Sequence, residues 1–299
     1  MFDNFELNEN KKFPGWKSDW KNDSFSQKVY ASLEQIGFHE FLHKNIIDIL
    51  ILLEKKSRFN EYSRSIECGM KNVLDFLEKR CAEKYLNLHF SKEQRIDAGM
   101  AAILHDIGKS GPVEATFEER KIIIKIFACE NIRESDALLT EKIKEVFDEN
   151  EVDEVLATLE KYNIGGKTTM RQFWDKHAQW THDILEKYSQ GINEHIRLIA
   201  GSHHIDREID PYFLLKNNKE ILPDTKTSGN MEKYLDALDG RALIALDQYE
   251  AAVERGKMSH NDALKQVQSN IVVHKNDKLM KIVLEAIDEL GKVGKIFYA

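Results

Sequence analysis

Apolar side chains recur at intervals of three and four residues along most of the chain, which is the period of a helix with one buried face. Ile66, Met70, Val73 and Leu77 form one such stripe. Few segments alternate as strands do, and only four prolines and 15 glycines interrupt the pattern. The sequence therefore predicts an all-α fold. Besides a helix at 62–80, the predicted helices lie near 117–131, 136–148, 151–162, 170–188, 192–203, 231–256, 260–270 and 276–291.

A second apolar stripe, within residues 96–104, ends in residues that can carry chemistry. It is preceded by Ser91 as an expected N-cap and by Gln94 three positions later, which is the pattern of a capping box. In AAILHDIGKSGP the stripe leads directly to His105 and Asp106, followed by a glycine turn and a lysine. An isolated His-Asp pair is most often a helix end followed by a turn.

Three other segments could complete a metal site with this pair. His177 lies near the start of a helical pattern, His203 and His204 end another apolar helix, and Asp247 follows the uncharged stretch 242–246. A carboxylate in apolar surroundings is unfavourable unless a cation or a hydrogen-bond donor meets it. Each feature alone favours an ordinary structural role, such as a salt-bridged aspartate or a surface histidine. Their combination indicates a metal centre instead.

The chain also contains a comparison for the His-Asp pair. His182 and Asp183 stand side by side in the same way, but no Gly-Lys follows them. We interpret this second pair as part of a helix surface.

Composition narrows the classes of function. A net charge of −8 argues against a general nucleic-acid binder, although a few cations can still form a local phosphate site. Cys68, Cys81 and Cys129 form no CxxC pair, so neither a disulfide framework nor a thiolate zinc site is expected. No phosphate-loop or dinucleotide-binding glycine motif occurs. Without a bilayer-spanning run or a signal-peptide core, the expected location is the cytoplasm.

The order His-Asp, His, His-His, Asp resembles the HD superfamily of metal-dependent phosphohydrolases, and most closely its HD-GYP subgroup of cyclic-di-GMP phosphodiesterases. HDIGK at 105–109 is identical to the core motif of that family. HAQWTHDIL at 177–185 is similar to its HPxxGAEIL helix, and the segment 246–264 is similar to its last-ligand helix and the segment after that helix. The resemblance covers about 91–264, with insertions near 113–168 and 214–232.

The resemblance implies an HD-domain helical bundle with a metal centre in its core. Two divalent transition-metal ions would be held there, with Fe or Mn expected first and Zn, Co or Ni as alternatives. Asp106 would be shared by both ions, and a bridging hydroxide would attack phosphorus. The implied metal ligands are His105, Asp106, His177, His203, His204 and Asp247. One ion would lie with His105, Asp106 and Asp247, and the other with Asp106 and the remaining histidines.

The same resemblance implies roles in catalysis and in substrate binding. Asp106 and Lys109 would be catalytic, and Lys109 would hold a phosphate oxygen. Arg255 is the candidate for a second phosphate, although a solvated helix end is an alternative for it and for Lys257. Glu250, one turn after the last ligand, is expected to be an ordinary surface glutamate.

The chain departs from the HD-GYP pattern in two places. Residues 208–212 replace the Gly-Tyr-Pro motif and keep only Tyr212 in register. The first metal histidine of the family is not evident, and either His43, Glu67 or no residue would take its place.

Two classes of function therefore stay open. The first is a metal-dependent phosphodiesterase acting on a cyclic dinucleotide such as cyclic-di-GMP. The second is a degenerate HD domain that serves as a metal-containing ligand sensor or interaction module, and a phosphohydrolase of other nucleotides is a further alternative. The expected partner is a small phosphorylated ligand, with no nucleic-acid polymer and no membrane, and a homodimer is left open. Residues 1–60 would form an N-terminal helical extension or cap, and 61–299 the HD domain.

Overall fold

The computed structural model describes residues 24–38, 42–57, 59–83, 89–129, 134–205, 209, 232–271 and 278–297. Within these ranges every regular element is helical, and a single isolated bridge joins Leu138 to Thr169. The all-α prediction is confirmed for this part of the chain. Most of the segment 208–212 and all but the last residue of the predicted insertion near 214–232 lie outside the described residues, as do residues 1–23.

The α-helices of the described ranges are numbered here in chain order. They are α1 Ser24–Gln35, α2 Lys44–Ser57, α3 Phe59–Glu83, α4 Lys92–Leu104, α5 Phe117–Phe127, α6 Leu139–Val146, α7 Val152–Lys161, α8 Met170–Lys187, α9 Glu194–Gly201, α10 Glu232–Glu250, α11 His260–Asn270 and α12 Lys278–Lys292. A 3₁₀ turn at Ile107–Ser110 follows α4, and a π-helical turn at Ala251–Arg255 follows α10. Within the described ranges, none of these helices combines the length and the apolar content needed to cross a membrane.

The start of α6 differs from its prediction for a clear backbone reason. Residues 136–138 were expected to be helical, but Ala137 O and the preceding Ser135 O accept hydrogen bonds from Met170 N and Arg171 N. Because these carbonyl groups face the first turn of α8, they are not available to a helix of their own. The helix therefore begins at Leu139.

The capping signal before α4 is confirmed. Ser91 Oγ accepts a hydrogen bond from Gln94 N, and Gln94 Oε1 accepts one from Ser91 N. The first turn of α8 has the same reciprocal arrangement between Thr169 and Gln172. Since a capping box satisfies two backbone donors at once, it fixes where each of these helices begins.

The main core lies between α3, α4, α10 and α12. The predicted stripe on α3, from Ile66 to Leu77, is buried there. Helices α1 and α2 contribute Val29, Leu33 and Ile46 to the same core. The helical part of the predicted N-terminal extension therefore packs onto the bundle.

A second apolar core lies beside the first, in the region that the family resemblance marks as an insertion near 113–168. Helices α5, α6 and α7 meet the first half of α8 there, with Phe127 and Phe173 at its centre. The second half of α8 places Ile184 and Leu185 in the main core. Helix α8 therefore joins the two cores, and His177 lies in its middle.

Candidate metal centre

Four helices bring the six predicted metal ligands to one place in the interior. All six residues are buried, and none is more than 8 % exposed. Their positions are His105 and Asp106 directly after α4, His177 in α8, His203 and His204 directly after α9, and Asp247 in α10.

Three of the histidines form the tightest part of this group. His177 Nε2 lies 3.1 Å from His203 Nε2 and 3.2 Å from His204 Nε2. The same nitrogen lies 3.1 Å from Asp106 Oδ1, which is 4.0 Å from His203 Nε2. One ligand atom from each of the three histidines therefore lies within reach of a single ion.

Hydrogen bonds to the backbone fix how these rings present their nitrogen atoms. The Nδ1 atoms of His105 and His203 lie 2.7 Å from the carbonyl oxygens of Ala102 and Ala200. His177 Nδ1 contacts the carbonyl oxygen of Trp174 in the same way. A carbonyl oxygen can only accept, so each Nδ1 carries a proton, and a neutral ring then has an unprotonated Nε2. In its neutral form, each of the three rings therefore directs a lone pair toward the centre.

The arrangement of these lone pairs fits a cation. A single proton on His177 Nε2 can point to only one of its three close neighbours, which leaves the other two contacts without a hydrogen bond from His177. Two ligand atoms held at roughly 2.0–2.1 Å from one ion and about 90–110° apart would lie about 2.9–3.4 Å from each other. The observed separations of 3.1 and 3.2 Å fall in that range. The buried histidine triad could therefore hold a metal ion.

On the side of the group that contains His105 and Asp247, the distances between side chains are longer. His105 Nε2 lies 3.5 Å from Asp106 Oδ2 and 3.8 Å from Asp247 Oδ1. These three residues are the ones assigned to the ion with His105. Among the described residues, the group whose ligand atoms all lie within 4.8 Å of one another consists of His177, His203 and His204. Their roles as ligands, and the number and identity of the ions, stay predictions.

The electrostatics of the group favour two ionised carboxylates and a neutral imidazole at His203. Burial lowers the pKa of His105, but the neighbouring carboxylates of Asp106 and Asp247 raise it overall. Burial opposes ionisation of Asp106, but Lys109 and His105 hold the pKa of its carboxyl well below the usual range. Burial also opposes ionisation of Asp247, and its contact with His105 keeps its pKa low. Burial and the nearby His105 lower the pKa of His203 to about 3, so this imidazole is neutral at physiological pH. Both states are the ones that metal ligation requires.

Lys109 does not extend freely into solvent. Its Nζ atom lies 2.6 Å from Asp106 Oδ2, and its side chain is 20 % exposed. The ammonium therefore lies at the edge of the group, on the oxygen of Asp106 that faces His105. Its predicted contact with substrate stays a prediction.

The expectation of a surface glutamate at position 250 is wrong. Glu250 is only 4 % exposed, because α10 carries it into the interior one turn after Asp247. Burial raises the pKa of its carboxyl to about 7, against the opposing charge of Arg255. Arg255, the candidate for a second phosphate, is partly buried in the π-helical turn. Lys257 is exposed, which agrees with the alternative that it is a solvated residue at a helix end.

The second His-Asp pair is placed differently from the first. The side chains of His182 and Asp183 are 20 % and 37 % exposed and contact each other on α8. The residue before them, Thr181, is fully buried and was not singled out from the sequence. Its hydroxyl donates to His105 O at 2.8 Å and accepts from Gly108 N at 3.0 Å. Thr181 therefore fastens the HDIGK turn to α8, and its position one turn after His177 could have revealed it.

Replacing Thr181 with valine is expected to destabilise the protein by about 2–3 kcal/mol. The change keeps the shape of the side chain but leaves the buried His105 carbonyl and Gly108 amide without their partner. Thr181→Ser keeps the hydroxyl and should lose much less. Thermal unfolding of both variants would measure the difference, and equal losses would show that the methyl group, not the hydroxyl, is what matters.

The structure gives no support to either candidate for an additional first-helix ligand. The His43 ring stacks on Tyr188, with ring centroids 4.7 Å apart, and its Nδ1 accepts a hydrogen bond from Asn45 N. Glu67 is buried but lines a different cavity, between α3 and α4. The alternatives for this ligand were His43, Glu67 or no residue. None of the described contacts favours His43 or Glu67.

Comparisons with models of protein families, with curated proteins and with solved structures returned no match. The family resemblance therefore rests on the sequence motifs, and the function on the geometry of the site.

Proposed function

We propose that this chain is a metal-dependent phosphohydrolase that cleaves a phosphodiester, with a cyclic dinucleotide as the favoured class of substrate. The observation that carries the proposal is the convergence of imidazole Nε2 atoms on one carboxylate of the HDIGK turn. His177 Nε2 has two imidazole nitrogens and Asp106 Oδ1 within 3.2 Å. The resemblance of the motifs to the HD superfamily supports the choice of phosphorus chemistry.

Divalent ions bound at this site would polarise a phosphoryl oxygen and lower the pKa of a water molecule toward 7. The protein's own part is to keep the site rigid and the ligands deprotonated. Backbone carbonyls hold His105 and His203 in one tautomer, and Thr181 fixes the turn that carries Asp106. Lys109 adds a positive charge at the edge, where a phosphate oxygen can approach.

The test is hydrolysis of bis-p-nitrophenyl phosphate by protein loaded with Mn, Fe, Co or Ni. We expect turnover with at least one metal, and none from a variant that combines His105→Ala with Asp106→Ala. Cyclic-di-GMP and linear dinucleotides would then be compared as substrates. Wild-type protein that binds metal but is inert with all four metals would contradict the enzymatic proposal.

A sensor or interaction module is the second candidate, and one contact favours it. The ammonium of Lys109 already lies 2.6 Å from Asp106 Oδ2, the oxygen that a second ion would share. A centre with one ion and a lysine in place of the other would bind ligands without an activated pair of metals. Metal analysis distinguishes the two candidates, because the enzyme requires two ions per chain and this form of the sensor requires one.

If the site hydrolyses phosphodiesters, Lys109→Ala is expected to slow turnover without removing metal. The charge of Lys109 would meet a phosphate oxygen whose negative charge grows in the transition state, which is worth about 2–4 kcal/mol, or roughly 30- to 1,000-fold in kcat. Lys121, a partly exposed lysine paired with Glu118, provides the control substitution. Unchanged kcat for Lys109→Ala on every phosphoester tested would remove Lys109 from the catalytic group.

A further inference from the structure

A second cavity, separate from the metal centre, lies between α3 and α4 at the end of α1. Its volume is about 220 Å³, and its walls include Ile36, Met70, Leu74 and Ile96. None of the six predicted metal ligands lines it. A dry apolar cavity of about 150 Å³ is large enough to bind benzene. This cavity could therefore hold a single ring with small substituents.

The side chain that stands out among these apolar walls is Glu67. It is 7 % exposed and lines the cavity. Within the described part of the chain, no group donates a hydrogen bond to its carboxyl or lies at ion-pair distance from it. Buried carboxyl groups are otherwise almost always paired. Glu54 shows the usual situation, since this buried carboxyl on α2 lies 2.9 Å from Lys28 Nζ.

Other residues that line the cavity carry the opposite charge. They are Lys71, Lys92 and Arg95. Lys71 and Arg95 both pair with Asp75, which neutralises much of their charge. Lys92 is exposed and forms no ion pair within the described ranges. The cavity is therefore lined by an acceptor on a buried residue, by apolar side chains and by the positive charge of an exposed lysine.

We propose that this cavity binds a small zwitterionic ring compound. A nitrogen group with two N–H donors would meet the buried Glu67, and an anionic group would face the exposed Lys92. An amidinium or guanidinium group suits Glu67, because its two parallel N–H bonds match the two oxygens of a carboxylate. The proposal does not depend on the function of the metal centre.

The pH dependence of the stability of the free protein distinguishes a Glu67 that binds a ligand from a Glu67 that stabilises the fold. Burial raises the pKa of the Glu67 carboxyl, against the opposing charges of Arg64 and Lys71. A carboxyl whose pKa is higher in the folded state destabilises the fold as the pH rises from its unfolded pKa, about 4.3, through its folded pKa. Glu67→Gln should therefore raise the Tm of the free protein at pH 8 and leave it nearly unchanged at pH 4. A structural glutamate would give a lower Tm at pH 8.

Binding can be tested by calorimetric titration at pH 8 with 4-amidinobenzoate, which carries both charges on one ring. Two related compounds provide the comparison. Benzamidine lacks the anionic group, and 4-carbamoylbenzoate replaces the amidinium with a neutral amide. We expect 4-amidinobenzoate to bind at one site, and 4-carbamoylbenzoate to bind at least ten-fold more weakly.

Three variants locate the site. Glu67→Gln should weaken 4-amidinobenzoate at least ten-fold, whereas Glu54→Gln, the matched buried carboxyl, should bind as the wild type does. Lys92→Ala changes an exposed residue, so it should fold normally. It should weaken 4-amidinobenzoate to the level of benzamidine and leave benzamidine unchanged. The proposal is overturned if the wild type binds none of the three compounds saturably, or if Glu67→Gln binds 4-amidinobenzoate with wild-type affinity.

Discussion

Replacing Asp106 with alanine is expected to remove more metal than any other single substitution among the six predicted ligands. Asp106 lies between the two halves of the site, with Oδ1 3.1 Å from His177 Nε2 and Oδ2 3.5 Å from His105 Nε2. If two ions are bound, this carboxylate also offsets their mutual repulsion. Loss of an outer partner of a ligand lowers metal affinity about 10- to 100-fold. Loss of Asp106 should lower it by more than about 100-fold.

The second His-Asp pair provides the matched control for this experiment. Asp183→Ala removes an aspartate from the same dipeptide on a partly exposed face of α8, and it should leave the metal content unchanged. Asp106→Asn keeps the shape of the side chain but removes its charge, so it separates ligation from packing. Elemental analysis after dialysis, followed by titration with Mn or Zn, would measure the loss. Two ions retained per chain in Asp106→Ala would argue against a shared carboxylate.

Much of the fold was predictable because local signals determined it. The apolar stripe from Ile66 to Leu77 is buried as its period requires, and the capping box at Ser91 begins α4 where the sequence predicts. The start of α6 was not predictable in this way. Its first expected residues form backbone hydrogen bonds with the start of α8, which is a contact between segments far apart in sequence.

The site shows the same division between local and distant information. The burial of Asp247 follows from the uncharged residues before it, and a buried carboxylate then requires partners. Glu250 carries no such signal, because it follows polar residues and is covered only when α10 packs into the bundle. The pairing of Lys109 with Asp106 depends on the 3₁₀ turn between them, which brings residues three apart to the same side.

The largest expected effect on stability comes from a substitution at Gly108, which lies in the 3₁₀ turn Ile107–Ser110. A Cβ atom at this position would lie 2.1 Å from His177 O and 2.5 Å from Thr181 N. Both are backbone atoms of α8, so no side-chain rotation can relieve the overlap. The turn and the helix would have to move apart, which would also displace Asp106 from His177. Gly108→Ala is therefore expected to destabilise the protein by about 3 kcal/mol or more and to lower its metal affinity.

Gly165 provides the control for this substitution, because a Cβ atom there would meet nothing within 4 Å. Gly165→Ala should leave the Tm within a few degrees of the wild type, whereas Gly108→Ala should lower it by roughly 6–12 °C, at about 2–4 °C for each kcal/mol. Thermal unfolding with and without added metal would separate the two consequences of the change. A pure packing defect would leave the stabilisation by metal intact, but a displaced Asp106 would reduce it. Gly108→Ala with wild-type Tm and wild-type metal content would show that the HDIGK turn is not held against α8 as described, and the tight approach of Asp106 to His177 would lose its explanation.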